Sequence, residues 1–158
     1  MKNFRELLIR QKTGFSLIEV LLVVAIIGIL AALGTSSYFG YLKSVEIDSV
    51  SREIVSGLRE AQGRAMAGES GKKWGVHFVN GDSDYYELFS TATDYAGATV
   101  SSAAYLRPGV EFASPALGGS LDIIFSRISG TIAATSTVVI SSAGGTATTT
   151  VTAIGNIY

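Results

Sequence analysis

Glu19 is the residue of this chain most in need of a chemical reason. From Phe15 to Leu33 no side chain is polar except those of Ser16 and Glu19. An ionised carboxylate inside such a run costs about 2.5–3.5 kcal/mol on membrane-insertion scales. One use for it is local: Ser16-x-x-Glu19 has the spacing of a capping box, in which each side chain satisfies a backbone amide at a helix start. Other candidates for chemistry are few. His77, the single histidine, alternates with Trp74, Val76 and Phe78 and is expected on the solvated side of a strand, with no second metal ligand or catalytic partner near it in sequence. Asp82-Ser83-Asp84 opens like a calcium loop, but no Gly and Glu follow at the required spacing, so a turn is expected. With no cysteine in the chain, thiol catalysis, disulfides and thiolate metal sites are excluded. No nucleophile elbow, phosphate loop or dinucleotide fingerprint occurs. An enzyme is not expected, nor a metal or cofactor.

The elements that must position these residues follow from charge and periodicity. The 158 residues suit one domain of ordinary size. Twelve Lys/Arg against thirteen Asp/Glu leave a net charge of −1, without the basic footprint of a nucleic-acid binder. Order matters more than the sum. Residues 1–14 carry Lys2, Arg5, Arg10 and Lys12 against Glu6 alone. The 19-residue run from Phe15 to Leu33 follows, about 28 Å as a helix and close to a bilayer core. A basic flank of this kind stays cytoplasmic and places the remainder across the membrane.

Helical periodicity continues through Tyr38, Tyr41, Leu42, Val45, Ile54, Leu58, Ala61 and Ala65, with charged residues between them. No proline interrupts residues 1–107, and the first strong stop is Gly68–Gly71. One helix over 15–67 is predicted, transmembrane over 15–35 and amphipathic beyond. Gly34 and Gly40 are places where it could weaken. The rest, 72–158, reads as a β-rich domain: alternation over 73–78, a turn at 80–84, a returning strand at 85–89, a loop-rich insertion over 90–108, then strands near 110–112, 121–125, 137–141 and 148–154. Trp74 and Phe78 are expected to pack under the helix. No residue after Arg127 is charged, and the Ser/Thr-rich 131–152 suits half-buried strands better than a tail.

The segment Lys12-Thr13-Gly14-Phe15-Ser16-Leu17-Ile18-Glu19-Val20, leading into an apolar helix, resembles the type IV prepilin signature. The resemblance implies an α+β, pilin-like fold with one long N-terminal helix on an antiparallel β domain. It implies that prepilin peptidase cuts between Gly14 and Phe15, that Phe15 is N-methylated, and that Glu19 pairs with the new amino group of Phe15 within or between subunits. Without a Cβ, Gly14 also lets an extended leader enter a protease site. The remainder, notably 52–67, 121–131, 137–145 and 151–158, resembles the GspH/FimT-type minor pseudopilins and pilin-like proteins. The absence of a proline near the end of the apolar run, in 34–40, departs from many pilins.

The function implied is that of a structural subunit of a type II secretion system or type IV pilus filament. It would be held in the inner membrane as a single-pass protein until an assembly platform inserts it beside other pilin or pseudopilin subunits. Its partners would be the peptidase, those subunits, the platform and membrane lipid, and no nucleic acid. The alternative is a secreted binding module cut by an ordinary signal peptidase near residue 34, after Ala31-Ala32-Leu33-Gly34. Glu19 inside the apolar region opposes that reading.

Overall fold

The computed structural model describes residues 14–158, without the side chains of 33–39. The leader residues Lys2, Arg5, Glu6, Arg10, Lys12 and Thr13, and the side chain of Tyr38, lie outside the described residues. The chain divides into two compact units at Tyr38/Phe39, described separately below. Helix α1 is assigned over Leu17–Met66, two residues inside the predicted start and one inside the predicted end. It runs through Gly34 and Gly40 without a break. It stops at Gly68, whose φ of 66° is open to glycine at little cost.

The second unit holds the end of α1 and seven strands: β1 (Lys73–Val79), β2 (Tyr85–Thr91), β3 (Thr99–Tyr105), β4 (Val110–Ser114), β5 (Ser120–Phe125), β6 (Ser136–Ser142) and β7 (Gly145–Val151). They form two antiparallel sheets, in the orders β3-β2-β1-β5 and β4-β6-β7. This is an α+β, pilin-like arrangement of an N-terminal helix on antiparallel sheets. One face of the helix carries Ile47, Val50, Ile54, Leu58, Ala61 and Ala65, all buried. They share a core with Trp74, Val76 and Phe78 of β1, Ile123 and Phe125 of β5, Phe112 of β4, and Val138 and Ile140 of β6. Leu58 is fully buried, and an aliphatic side chain so placed contributes about 1.5–3 kcal/mol.

Close backbone approaches fix the sheets on the helix. The β6–β7 hairpin turns at Ala143-Gly144, and a Cβ on Gly144 would stand 2.5 Å from the Lys43 carbonyl carbon. The Gln62 amide donates to the carbonyls of Gly130 (3.1 Å) and Gly155 (2.7 Å), tying the C-terminal segment to the same helix. Asp82-Ser83-Asp84 is a turn, as its spacing predicts. The Asp84 carboxylate accepts from Gly81 N (3.1 Å) and Phe112 N (2.6 Å), so it joins the two sheets. The buried Asn80 does the same by donating to the carbonyls of Phe112 and Pro115, both at 2.7 Å.

Two expectations are corrected. The predicted insertion 90–108 contains β3, an edge strand whose residues are almost all exposed. With little to bury, it shows no inward apolar alternation. His77, predicted to be solvated, is buried. Its side of β1 is covered by the segment after β2, where Tyr95 stacks on the imidazole at 3.6 Å and meets Phe89 edge-on.

Candidate functional site

The sequence places the site at residues 14–19, where an extended segment enters a helix. Gly14 is exposed, and a Cβ built on it would meet no heavy atom within 4 Å. Phe15 is 80 % exposed. The Ser16 carbonyl accepts from Glu19 N (3.0 Å) and Val20 N (3.2 Å), so Ser16 begins the helix through its backbone. The reciprocal side-chain bonds of a capping box are not made: among the described residues neither Ser16 Oγ nor the Glu19 carboxylate has a side-chain hydrogen bond. That leaves Glu19 free for another partner. The Phe15 nitrogen is an amide in the uncut chain and carries no charge. A Phe15–Glu19 ion pair therefore becomes chemically available only after cleavage.

Beyond Glu19, the helix is apolar all round, and none of the described residues of its own unit covers it. Exposures of its large side chains run from 47 % at Val23 to 63 % at Val24, Ile29 and Leu30. A helix without a polar face buries itself in lipid or among other helices. Among the described residues no helix is long and apolar enough to cross a membrane. The stretch whose side chains are described, 17–32, would span about 24 Å, against a hydrocarbon core of about 30 Å.

A second cluster escaped sequence reasoning. In the strand register His77 stands between Glu87 of β2 and Asp122 of β5. Its Nδ1 lies 2.5 Å from Asp122 Oδ1. The Tyr95 hydroxyl donates to Glu87 Oε2 at 2.5 Å. That bond to a carboxylate is the main reason the phenol is pushed up to about 12; burial adds to it. The signal available was an ionisable residue at the matching place on each of three strands, which becomes readable once the register is known. The cluster contains no Ser, Thr, Cys or Lys, and among the described residues no group of His, Asp and Glu is arranged to hold a metal. It pins the segment after β2 to the sheet. The unfolded tyrosine loses its proton near 10 and the folded one near 12. Stability should therefore fall as pH rises from 10 toward 12, because the unfolded state releases the proton first. Tyr95→Phe should make that part of a pH series of denaturation midpoints less steep, the remaining slope coming from the Tyr86 hydroxyl, which burial and Glu53 also push up. An unchanged slope would place the effect elsewhere.

Comparison with protein families finds the prokaryotic N-terminal methylation motif over residues 9–35. Neither the curated proteins nor the solved structures give a match. Leader and fold agree in class. The motif supports a type IV pilin-like protein with a prepilin-type leader.

Proposed function

We propose that the chain is a filament subunit, a minor pseudopilin of a type II secretion system or a pilin-like protein of a type IV pilus, of the GspH/FimT type. Prepilin peptidase cuts between Gly14 and Phe15, and Phe15 is N-methylated. Before assembly the run from Phe15 to Leu33, within a span of 15–35, lies in the inner membrane, with residues 1–14 cytoplasmic and the β-rich part, 72–158, on the periplasmic side. An assembly platform then moves it beside other pilin or pseudopilin subunits. There the Glu19 carboxylate meets the new Phe15 ammonium, and the domain acts without catalysis. The observation that carries this reading is the methylation motif over 9–35 running into a helix whose apolar side chains are exposed on every side.

The secreted-module reading is weaker on structural grounds. Signal peptidase acts on an extended segment, and α1 runs without interruption through residue 34. The mature amino terminus separates the two: Phe15 supports the filament subunit, and a residue near Thr35 the secreted module.

A further inference from the structure

A bare sheet edge is a template for another strand, and this fold covers two of its own. On β4 the N–H of Phe112 is taken by the Asp84 carboxylate (2.6 Å) and its carbonyl by the Asn80 amide (2.7 Å). On β7 the N–H and carbonyl of Thr150 pair with Tyr158 at 3.1 and 3.0 Å. β3 is different. It ends the four-stranded sheet and, among the described residues, is paired on its β2 side alone. Thr99–Tyr105 holds no charged residue and no proline, two of the devices that blunt an edge. Its one irregularity is Ser101, an extra residue opposite the step from Leu88 to Phe89, so the regular edge is Ser102–Tyr105.

The register tells which backbone groups of that edge are open. Leu106 N donates to the Asp84 carbonyl at 2.8 Å, one step beyond the pair Tyr85 and Tyr105. Bonded and unbonded pairs alternate along an antiparallel ladder. Ala104 and Ser102 therefore bond to β2, whereas Ala103 and Tyr105 turn N–H and C=O away from it. Both are exposed. Tyr105, 69 % exposed, also lines a cavity of about 380 Å³ bounded by the β1–β2 turn and the segment joining β3 to β4. The charged side chains of that cavity are Asp82, Asp84, Arg107 and Glu111. Asp84 is spent on two backbone amides, and Arg107 lies 3.9 Å from Glu53. Asp82 and Glu111 are exposed and, among the described residues, have no ion-pair partner. The open edge thus ends beside two open carboxylates.

We infer that β3 receives an extended segment of another protein as an added strand, with a Lys or Arg of that segment in the cavity beside Asp82 and Glu111. Main-chain bonds to Ala103 and Tyr105 supply affinity without regard to sequence. The side chains of Ser102–Tyr105 carry no charge, so they select little. Selection falls on the cavity, whose unpaired carboxylates attract a basic residue and repel an acidic one. The inference goes beyond the filament reading and does not depend on it, since neither the leader nor the apolar helix takes part.

The test uses the full chain in a neutral detergent and a fluorescein-labelled peptide, Lys-Lys-Thr-Val-Thr-Val-Lys-Lys, with binding read by fluorescence anisotropy. The same peptide N-methylated at its Thr and Val residues has lost its strand donors and should bind at least about tenfold more weakly. Ala103→Pro removes an outward N–H and keeps the bonds of β3 to β2, and should weaken binding about tenfold. Replacing the peptide's Lys by Glu should cost at least about tenfold with wild type and less than about threefold with D82N/E111Q. The N-methylated peptide requires no change in the protein, so a folding defect cannot imitate its effect. Unaltered binding on N-methylation, or in Ala103→Pro, would overturn strand addition. A full Lys-over-Glu preference in D82N/E111Q would overturn the role of the cavity. No saturable binding below a Kd on the order of 1 mM would overturn both. Self-association of the chain that Ala103→Pro abolishes would make the occupant a second copy and overturn the assignment of a basic partner segment.

Discussion

A Gly14→Glu chain is expected to keep residues 1–14, to remain in the membrane fraction and to be missing from any filament. Gly14→Ala should show the same defect more mildly. The structure makes this a clean experiment. Gly14 is exposed, and an added Cβ would touch none of the described residues within 4 Å, so their fold has no reason to respond. Any loss of processing then reports on the fit of the leader in a protease site. A pocket shaped around a residue without a side chain discriminates by about 10–200-fold for a single added carbon, and a buried carboxylate adds a desolvation cost. Gel mobility of the membrane fraction separates cut from uncut chains. Normal maturation of Gly14→Glu would contradict the peptidase assignment.

Glu19→Ala should have the opposite profile. Removing the carboxylate relieves about 2.5–3.5 kcal/mol of insertion cost, so the variant should sit in the membrane and be cut as well as wild type. Assembly is where it should fail. With its partner gone, the Phe15 ammonium enters a core of apolar helices uncompensated, at a cost of about 3–5 kcal/mol, or more than about a hundredfold in incorporation. Among the described residues the Glu19 carboxylate makes no side-chain hydrogen bond, which keeps it available for this role. Incorporation is measured as the ratio of sheared filament to membrane-bound protein. An unchanged ratio would show the pair to be dispensable and would leave Glu19 without a function in this account.

What the sequence made legible follows from how locally each feature is encoded. The helix could be bounded within two residues because its end is set by Gly68, a residue type that adopts φ 66° at little cost. The leader was readable because an enzyme must recognise it as a short linear segment. β1 alternates apolar and polar residues over 73–78, and β2 is an aromatic-rich run returning after a turn, so both could be read. β3 could not, because Thr99–Tyr105 is an edge strand exposed over nearly all its length, and exposure removes the alternation. His77 was misplaced for a different reason. Its cover comes from Tyr95, which a pattern confined to residues 73–79 cannot contain. The capping box had the right spacing, but spacing fixes no rotamer, and the backbone carbonyl of Ser16 starts the helix without the side chains.

The measurement that bears most directly on the central claim is the intact mass and amino-terminal sequence of the protein purified from its native membranes. A chain that begins at Phe15, carries one added methyl group and retains Tyr158 is the predicted result. A chain that begins near Thr35 would have lost both Phe15 and Glu19, and the filament account would fall with them.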